Sequence, residues 1–419
     1  MATSTAVERD PNRVYYRAGG FEQSRPILRG PDAKKTFEFI PTVDMVNISS
    51  PDLELRKMLA AEVGQAMREV GFFYATNPPV DTKLMGLLDD ILELSKKFFA
   101  LPFETKACTI TTWSFFATRA KEKQNKYHMN QSPSFKGYMP SKTIEKYAPD
   151  RDTFLVGSDF TDPGQHFIKV APPGSVSQNQ WPDEELPEFR SIFYQYFRQC
   201  FTFAKQLIHI FALSLGLEEG AFDETFKEPL TDALFQHYFA DPDRKEAQEL
   251  FFPHADFSGM VQRDNHNETL VNRCAGLTLL LNQKDVPGLE VLNANGIWVP
   301  APPIEHAFVV NTGAYFELLS NSQFLSTVHR VHTKLSVERF SLATFISPDP
   351  SVFISTHPAL LKEGEESKYT SHHIGKRYIT GLVHNSPNHP WCKKLKASGI
   401  KEEDYKWELL MQPFPDDLA

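Results

Sequence analysis

In the first half of the chain apolar positions return mostly at helical spacing, and in the second half they fall in short runs cut by turn residues. Leu55, Leu59, Val63, Ala66, Met67 and Val70 recur every three or four residues and predict an amphipathic helix. Ser50-Pro51 offers it an N-cap with a first-turn proline, and Gly71 closes it. Leu84, Leu87, Leu88, Ile91, Leu92 and Phe99 predict a second helix, stopped near Pro102. A third and longer helix is expected over 188–215, with Phe189, Phe193, Tyr196, Cys200, Phe203, Leu207 and Phe211 inward and Gly216 at its C-terminal cap. "FEFIPTVDM" and "FFYATN" read as short strands. Residues 1–36 are polar and expected to be loosely ordered, and 103–185 is turn-rich with little pattern.

From about residue 233 the period changes. "ALFQHYF", "GLTLLLN", "GLEVLN", "IWVPA", "AFVVNTG", "STVHRVHT" and "RFSLATFIS" are short β-like runs divided by turn residues. Such spacing predicts a sandwich or barrel. The expected fold is α+β: a helical N-terminal half supporting a C-terminal jelly-roll. The expected boundaries are a polar segment 1–36, a helical region 37–225, a catalytic jelly-roll 226–350 and a polar, weakly patterned tail 351–419 packing on the core.

Composition narrows the class. The 419 residues are 41% hydrophobic, enough for a large core, and the 34 phenylalanines suit an apolar or aromatic ligand as well as a well-filled interior. A net charge of −9 without a basic cluster argues against a nucleic-acid partner. Cys108, Cys200, Cys274 and Cys392 are scattered without a CxxC pair, which fits a reducing compartment and no zinc-thiolate site. The polar start "MATSTAVERDPNR" does not read as a signal peptide, no apolar run has the length of a membrane span, and "DLA" is not a peroxisomal ending; a cytoplasmic location is expected. The sequence sets no oligomeric state.

Candidate chemistry begins at "LFFPHADFSG". An aromatic run leads straight into a histidine and an aspartate, which would be costly to bury unpaired. On a strand, residues two apart face the same way, so His254 and Asp256 share a face. "STVHRVHT" offers a third partner, either His329 or His332; three apart, they point to opposite faces and cannot both serve one site. Two histidines and a carboxylate form a facial triad with open positions, the arrangement of non-haem Fe(II) oxygen chemistry. On the next run Arg339 and Ser341 are again two apart, a guanidinium and a hydroxyl able to grip a carboxylate. Each motif alone is short and common; their order along successive β-runs is what makes them specific.

In that order the chain resembles the family of isopenicillin N synthase and the 2-oxoglutarate-dependent Fe(II) dioxygenases over most of residues 37–348. "IPTVDM", "VGFFYATN", "KKFFALPFETK" and "KGYMP" are similar to its N-terminal region; "HADFSG", "GLTLLLN", "GLEVLN", "LLSN", "TVHRV" and "ERFSLATFISP" are similar to its catalytic region. The resemblance implies a double-stranded β-helix, iron ligands His254, Asp256 and His329, and Arg339 and Ser341 on the far carboxylate of 2-oxoglutarate. It implies an enzyme that uses O₂, releases succinate and CO₂, and hydroxylates, desaturates or rearranges a small organic molecule, as in secondary metabolism, with ascorbate supportive in vitro. Two alternatives stay open: an Fe(II) oxidase of the isopenicillin N synthase type, needing no 2-oxoglutarate, and a non-catalytic ligand-binding protein on the same fold.

Two departures from the family pattern stand out. Many relatives carry Asn-x-Tyr ahead of the HxD; matched to "QHYFADPD", those positions read as His237 and Phe239, with neighbouring Tyr238 a candidate 2-oxoglutarate contact that would face the other way on a strand. "MVQRDNHNETLVNRC", residues 260–274, is inserted after the HxD. With Arg263, His266 and Arg273 it reads either as a solvated surface loop or as a substrate lid.

Overall fold

A computed structural model describes residues 9–18, 21–78, 83–106, 127, 129, 135–140, 151–158, 179–256, 276–334, 336–385 and 387–411. The elements, in chain order, are β1 (Arg13–Ala18), β2 (Phe21–Pro26), β3 (Thr42–Asp44), α1 (Leu53–Glu69), β4 (Phe72–Thr76), α2 (Lys83–Ala100), α3 (Phe103–Lys106), β5 (Gly137–Met139), β6 (Arg151–Gly157) and α4 (Phe189–Ser214). There follow β7 (Thr231–Tyr238), β8 (Gln248–His254), β9 (Leu277–Asn282), β10 (Leu289–Leu292), β11 (Trp298–Pro300), β12 (Phe308–Thr312), α5 (Ala314–Leu319), β13 (His329–Thr333) and β14 (Arg339–Ile346). The chain continues with β15 (Phe353–Ile354), β16 (His372–His373), α6 (Ile374–Asn385) and α7 (Pro390–Ala397).

The expected α+β plan, helices supporting a β-rich second half, is the observed one. An eight-stranded sheet runs β3-β4-β12-β9-β14-β7-β6-β5 and a six-stranded sheet runs β11-β10-β13-β8-β1-β2. Alternation along the strands decides what each face meets. Phe235, Leu279, Leu281, Val310, Phe340 and Leu342 point outward into one core with the phenylalanines of α2 and α4. Their neighbours point inward: Phe72, Tyr74 and Val309 pack against Leu289, Val291 and Val299 of the second sheet. The two sheets thus close face to face, and polar residues on the inner faces form the site between them.

The helices obey their sequence signals, with one correction. The cap of α1 is Asp52, whose carboxylate accepts from the Glu54 amide at 2.9 Å, two residues beyond the expected cap Ser50. On α4 the C-terminus is a Schellman turn: Gly216, at φ +74°, donates to the Leu213 carbonyl and Leu217 to that of Ala212. No helix among the described residues is long and apolar enough to cross a membrane.

Three regions differ from the sequence expectation. The polar N-terminal segment holds the β1–β2 hairpin, and β1 adds to β8 in parallel, with Arg17 opposite His254. Val14, Tyr16 and Ala18 pack on Ala255, Leu292 and Val328, an alternation too short to stand out without its partner sheet. Residues 151–157, in the turn-rich middle, form the wholly buried strand β6. Within the weakly patterned tail, Ile379, Leu382, Val383, Trp391, Cys392 and Leu395 of α6 and α7 make a small core with Phe135 and Leu230.

One glycine ties the helical half to the site. Gly71 turns the chain from α1 into β4 at φ +76°, and a Cβ there would lie 2.4 Å from Thr327 Oγ1 and 2.6 Å from the Leu325 carbonyl. Gly71→Ala should therefore lower stability by roughly 1–3 kcal/mol, the usual cost of a side chain in this region of backbone space. The urea midpoint measures it; a wild-type midpoint would show that the Thr327 segment yields freely.

Candidate metal centre

His254 is the last residue of β8, and His329, the first of β13, lies opposite it in antiparallel register. Asp256 follows two residues after His254, just past the strand, where its backbone carbonyl accepts from the Ala314 amide at 2.9 Å and the Ser326 hydroxyl at 3.1 Å. All three side chains are essentially buried, and one donor atom from each falls within 4.8 Å of the others. Asp256 Oδ1 lies 3.7 Å from Nε2 of both histidines. Among the described residues this is the one cluster of three such groups able to hold a metal.

Each donor is oriented from behind. Nδ1 of His254 contacts the Phe252 carbonyl at 3.0 Å and Nδ1 of His329 the Thr327 carbonyl at 3.1 Å. With Nδ1 as the donor, both Nε2 lone pairs face inward, the tautomer a metal needs. Thr278 Oγ1 and Asn311 Nδ2 donate to Asp256 Oδ2 at 2.8 and 2.7 Å, leaving Oδ1 for the centre. The edge of the Phe72–His329 pair, ring centres 5.1 Å apart, fixes the second imidazole.

The electrostatics suit a cation. Burial, then the neighbouring His329, push His254 down to about 3, so it is a neutral imidazole at neutral pH. Burial would raise Asp256, but the two histidines and the Asn311 and Thr278 hydrogen bonds together bring it below the ordinary carboxylate range. Two neutral nitrogens and one carboxylate oxygen, buried and pre-aimed, fit Fe(II) and leave coordination positions free. His332 takes no part: it lies beyond Arg330 and contacts Glu290 at 3.6 Å.

Arg339 and Ser341 share the inner face of β14, as their spacing predicts, and line the same cavity as the three donors. Arg339 is 2% exposed; Nη2 donates to Asn282 Oδ1 at 2.7 Å, Nη1 reaches Ser341 Oγ at 3.4 Å, and Nε has no partner. Among the described residues no carboxylate pairs with it. Burial pushes this guanidinium below its ordinary value. A buried cation of this kind calls for an anion, and the far carboxylate of 2-oxoglutarate has the shape and charge to meet it.

The register of β7 corrects the reading of "QHYF". Tyr238 faces Arg339 and Gln236 faces Ser341 across the β7–β14 pair, on the cavity side. His237 points the other way and stacks on Phe340 at 4.5 Å. The pair matching the relatives' Asn-x-Tyr is therefore Gln236-x-Tyr238, one residue earlier than the sequence match. The Tyr238 hydroxyl donates to Gln236 Oε1 at 3.0 Å, and its ring lies 4.9 Å from the Arg339 guanidinium carbon. Arg263, His266 and Arg273 of the inserted segment, with the rest of 260–274, lie outside the described residues. Thr278, Asn311 and Asn282 were missed; their signal was a polar residue interrupting "GLTLLLN" and "AFVVNTG" or ending the first run.

Comparison with known proteins agrees. Residues 231–348 match the 2OG-Fe(II) oxygenase superfamily, and residues 40–112 match the N-terminal family described as non-haem dioxygenase in morphine synthesis. The 2-oxoglutarate-Fe(II) type oxidoreductase ppzC of Metarhizium majus is 29% identical, over 82% of this chain and 87% of its own. Jasmonate-induced oxygenase 3 of Arabidopsis thaliana is 27% identical, over 79% and 78%. A putative 2OG-Fe(II) oxygenase family protein from Caulobacter crescentus superposes with a TM-score of 0.61 at 23% identity, over 83% of this chain and 99% of that one. The chain belongs to the 2OG-Fe(II) oxygenase superfamily, and it is an oxidoreductase that uses Fe(II) and 2-oxoglutarate.

The partners of Asp256 should matter as much as their contacts imply. Asn311→Ala leaves Oδ2 with one donor and should weaken Fe(II) binding by roughly 10–100-fold. His332→Ala should leave it unchanged. Competition with a chromophoric chelator measures both; the reverse order would overturn the assignment of the inner and outer histidines.

Proposed function

We propose that this enzyme oxidises a small organic molecule, by hydroxylation, desaturation or oxidative rearrangement, with His254, Asp256 and His329 holding the iron and Arg339 and Ser341 holding 2-oxoglutarate. The observation that carries the reading is Arg339, a buried guanidinium without a carboxylate partner among the described residues, on the wall of the cavity into which the three metal donors point. When bound, the iron with 2-oxoglutarate and O₂ supplies the oxidising chemistry and leaves succinate and CO₂.

The residues of this chain do the binding and orienting. Arg339 and Ser341 grip one end of the cosubstrate by charge-assisted hydrogen bonds, and the Tyr238 ring fixes the plane of the guanidinium. Asp256 offers its Oδ1 while Asn311 and Thr278 restrain Oδ2. Leu234, Leu280, Leu289 and Val331 make the rest of the wall apolar, which limits water near the reacting centre and favours an organic substrate. Ligands of solved relatives support the size class: thymine in one, JA in another.

Removing one partner of a buried charge pair costs on the order of 2–5 kcal/mol, or roughly 30-fold to several-thousand-fold in affinity. Arg339→Met should weaken 2-oxoglutarate binding by that much, read anaerobically from the visible charge-transfer band of the Fe(II) protein. Succinate formation and a mass change in one sample, from a substrate panel with Fe(II), 2-oxoglutarate, ascorbate and O₂, test the reaction itself. An unchanged titration in the variant would reject the role of Arg339, and product without succinate would favour an oxidase.

A further inference from the structure

Arg339 is not the only guanidinium buried beside this cavity. Arg151, on β6, lies opposite Tyr238 in the β6–β7 pair, just as Arg339 lies opposite Tyr238 in the β7–β14 pair. Three adjacent strands therefore carry Arg151, Tyr238 and Arg339 in one row on the inner face of the sheet. The tyrosine ring stands between the two guanidinium carbons, 5.8 Å from Arg151 and 4.9 Å from Arg339.

Arg151 is 4% exposed, and its environment is short of negative charge. Nη1 donates to Gln236 Oε1 at 2.7 Å, while Nε has no partner. The adjacent carboxylate, Asp152, points to the opposite face, where the Tyr138 hydroxyl donates to it. No carboxylate among the described residues pairs with Arg151. Its guanidinium carbon lies 4.0 Å from the centre of the Phe251 ring. An aromatic face offsets only part of the cost of burying a cation. Phe251 itself lines the cavity and meets the ring of His254 edge-on at 4.5 Å. Arg151 thus sits one residue behind the wall nearest a metal donor, and it is separated from the cosubstrate's arginine by a full strand.

We propose that Arg151 is a second anion-binding position, which takes a carboxylate on the primary substrate and makes this enzyme selective for small carboxylic acids with an apolar body. The proposal rests on the assignment of 2-oxoglutarate to Arg339, because a single dicarboxylate already occupies that guanidinium. Gln236 links the two positions: its Oε1 accepts from Arg151 and Tyr238, and its Nε2 reaches Ser341 Oγ at 3.5 Å. Such a link keeps the two cations at fixed separation, so each anion has its own place. The apolar body of the substrate then lies along Phe251, in front of His254.

The test uses the full chain, loaded with Fe(II) and 2-oxoglutarate without oxygen. A panel of small aryl- and alkylacetic acids, each beside its primary amide, is titrated in by calorimetry. At least one acid should bind tenfold or more tightly than its amide. Arg151→Met should abolish that preference, and Arg151→Gln, which retains a donor for Gln236, should abolish it too. A wild-type protein with no acid preference anywhere in the panel, or a preference that survives in both variants, overturns the proposal. The charge-transfer band recorded in the same samples separates the two readings. Its absence from the wild type indicts the 2-oxoglutarate site at Arg339. Its loss in Arg151→Met to the extent seen in Arg339→Met assigns Arg151 to the cosubstrate instead and also overturns the proposal.

Discussion

Asp256 is a carboxylate buried between two sheets, and the construction of the site follows from keeping it ionised there. A lone carboxylate in such a place would take up a proton. Two hydrogen bonds from Thr278 and Asn311 reach one oxygen, and two imidazoles face the other. The donors come from β9 and β12, the imidazoles from β8 and β13, so one side chain draws on both sheets. Closing the sheets on each other is what makes the centre, and the helices hold the larger sheet in place from outside through the phenylalanine-rich core.

Much of this was legible in the sequence because period and chemistry coincide. His254 and Asp256, and again Arg339 and Ser341, are two apart in β-like runs. Strand geometry puts Arg339 and Ser341 on one face of β14, while Asp256, just past the end of β8, is brought beside His254 by the chain that follows the strand. The helices at 53–69 and 189–214 announced themselves by spacing and by the glycines after them. What escaped depended on partners remote in sequence. The β1–β2 hairpin is stabilised by joining β8, and six residues of mixed polarity carry no mark of that. Strand β6 is buried on both faces yet contains Arg151, Asp152 and Thr153, so its burial reads as a loop. The match of "QHYF" to Asn-x-Tyr slipped by one residue, which on a strand exchanges inside for outside. The pairing of Tyr238 with Arg339 fixes it.

The row Arg151–Tyr238–Arg339 places one guanidinium on the cavity wall and a second behind it. Among the described residues that line the cavity, Asp256 is the one carboxylate to offset Arg339 and a metal cation. Anionic ligands would answer that excess: 2-oxoglutarate at Arg339 and, in the proposal above, a substrate carboxylate at Arg151. The apolar residues around the row keep the attraction strong by keeping water out, since the same charges in contact with solvent would be screened. Affinity for anions and the exclusion of water are thus two consequences of one packing arrangement.

The central claim is that three donors bind the metal while Arg339 binds the far end of 2-oxoglutarate. A crystal structure of the protein with Mn(II) and 2-oxoglutarate tests it directly. The account predicts the metal bonded to Nε2 of His254, Nε2 of His329 and Oδ1 of Asp256, with the far carboxylate of the cosubstrate on Arg339 and Ser341. A metal held by other side chains, or a 2-oxoglutarate turned away from Arg339, would contradict it.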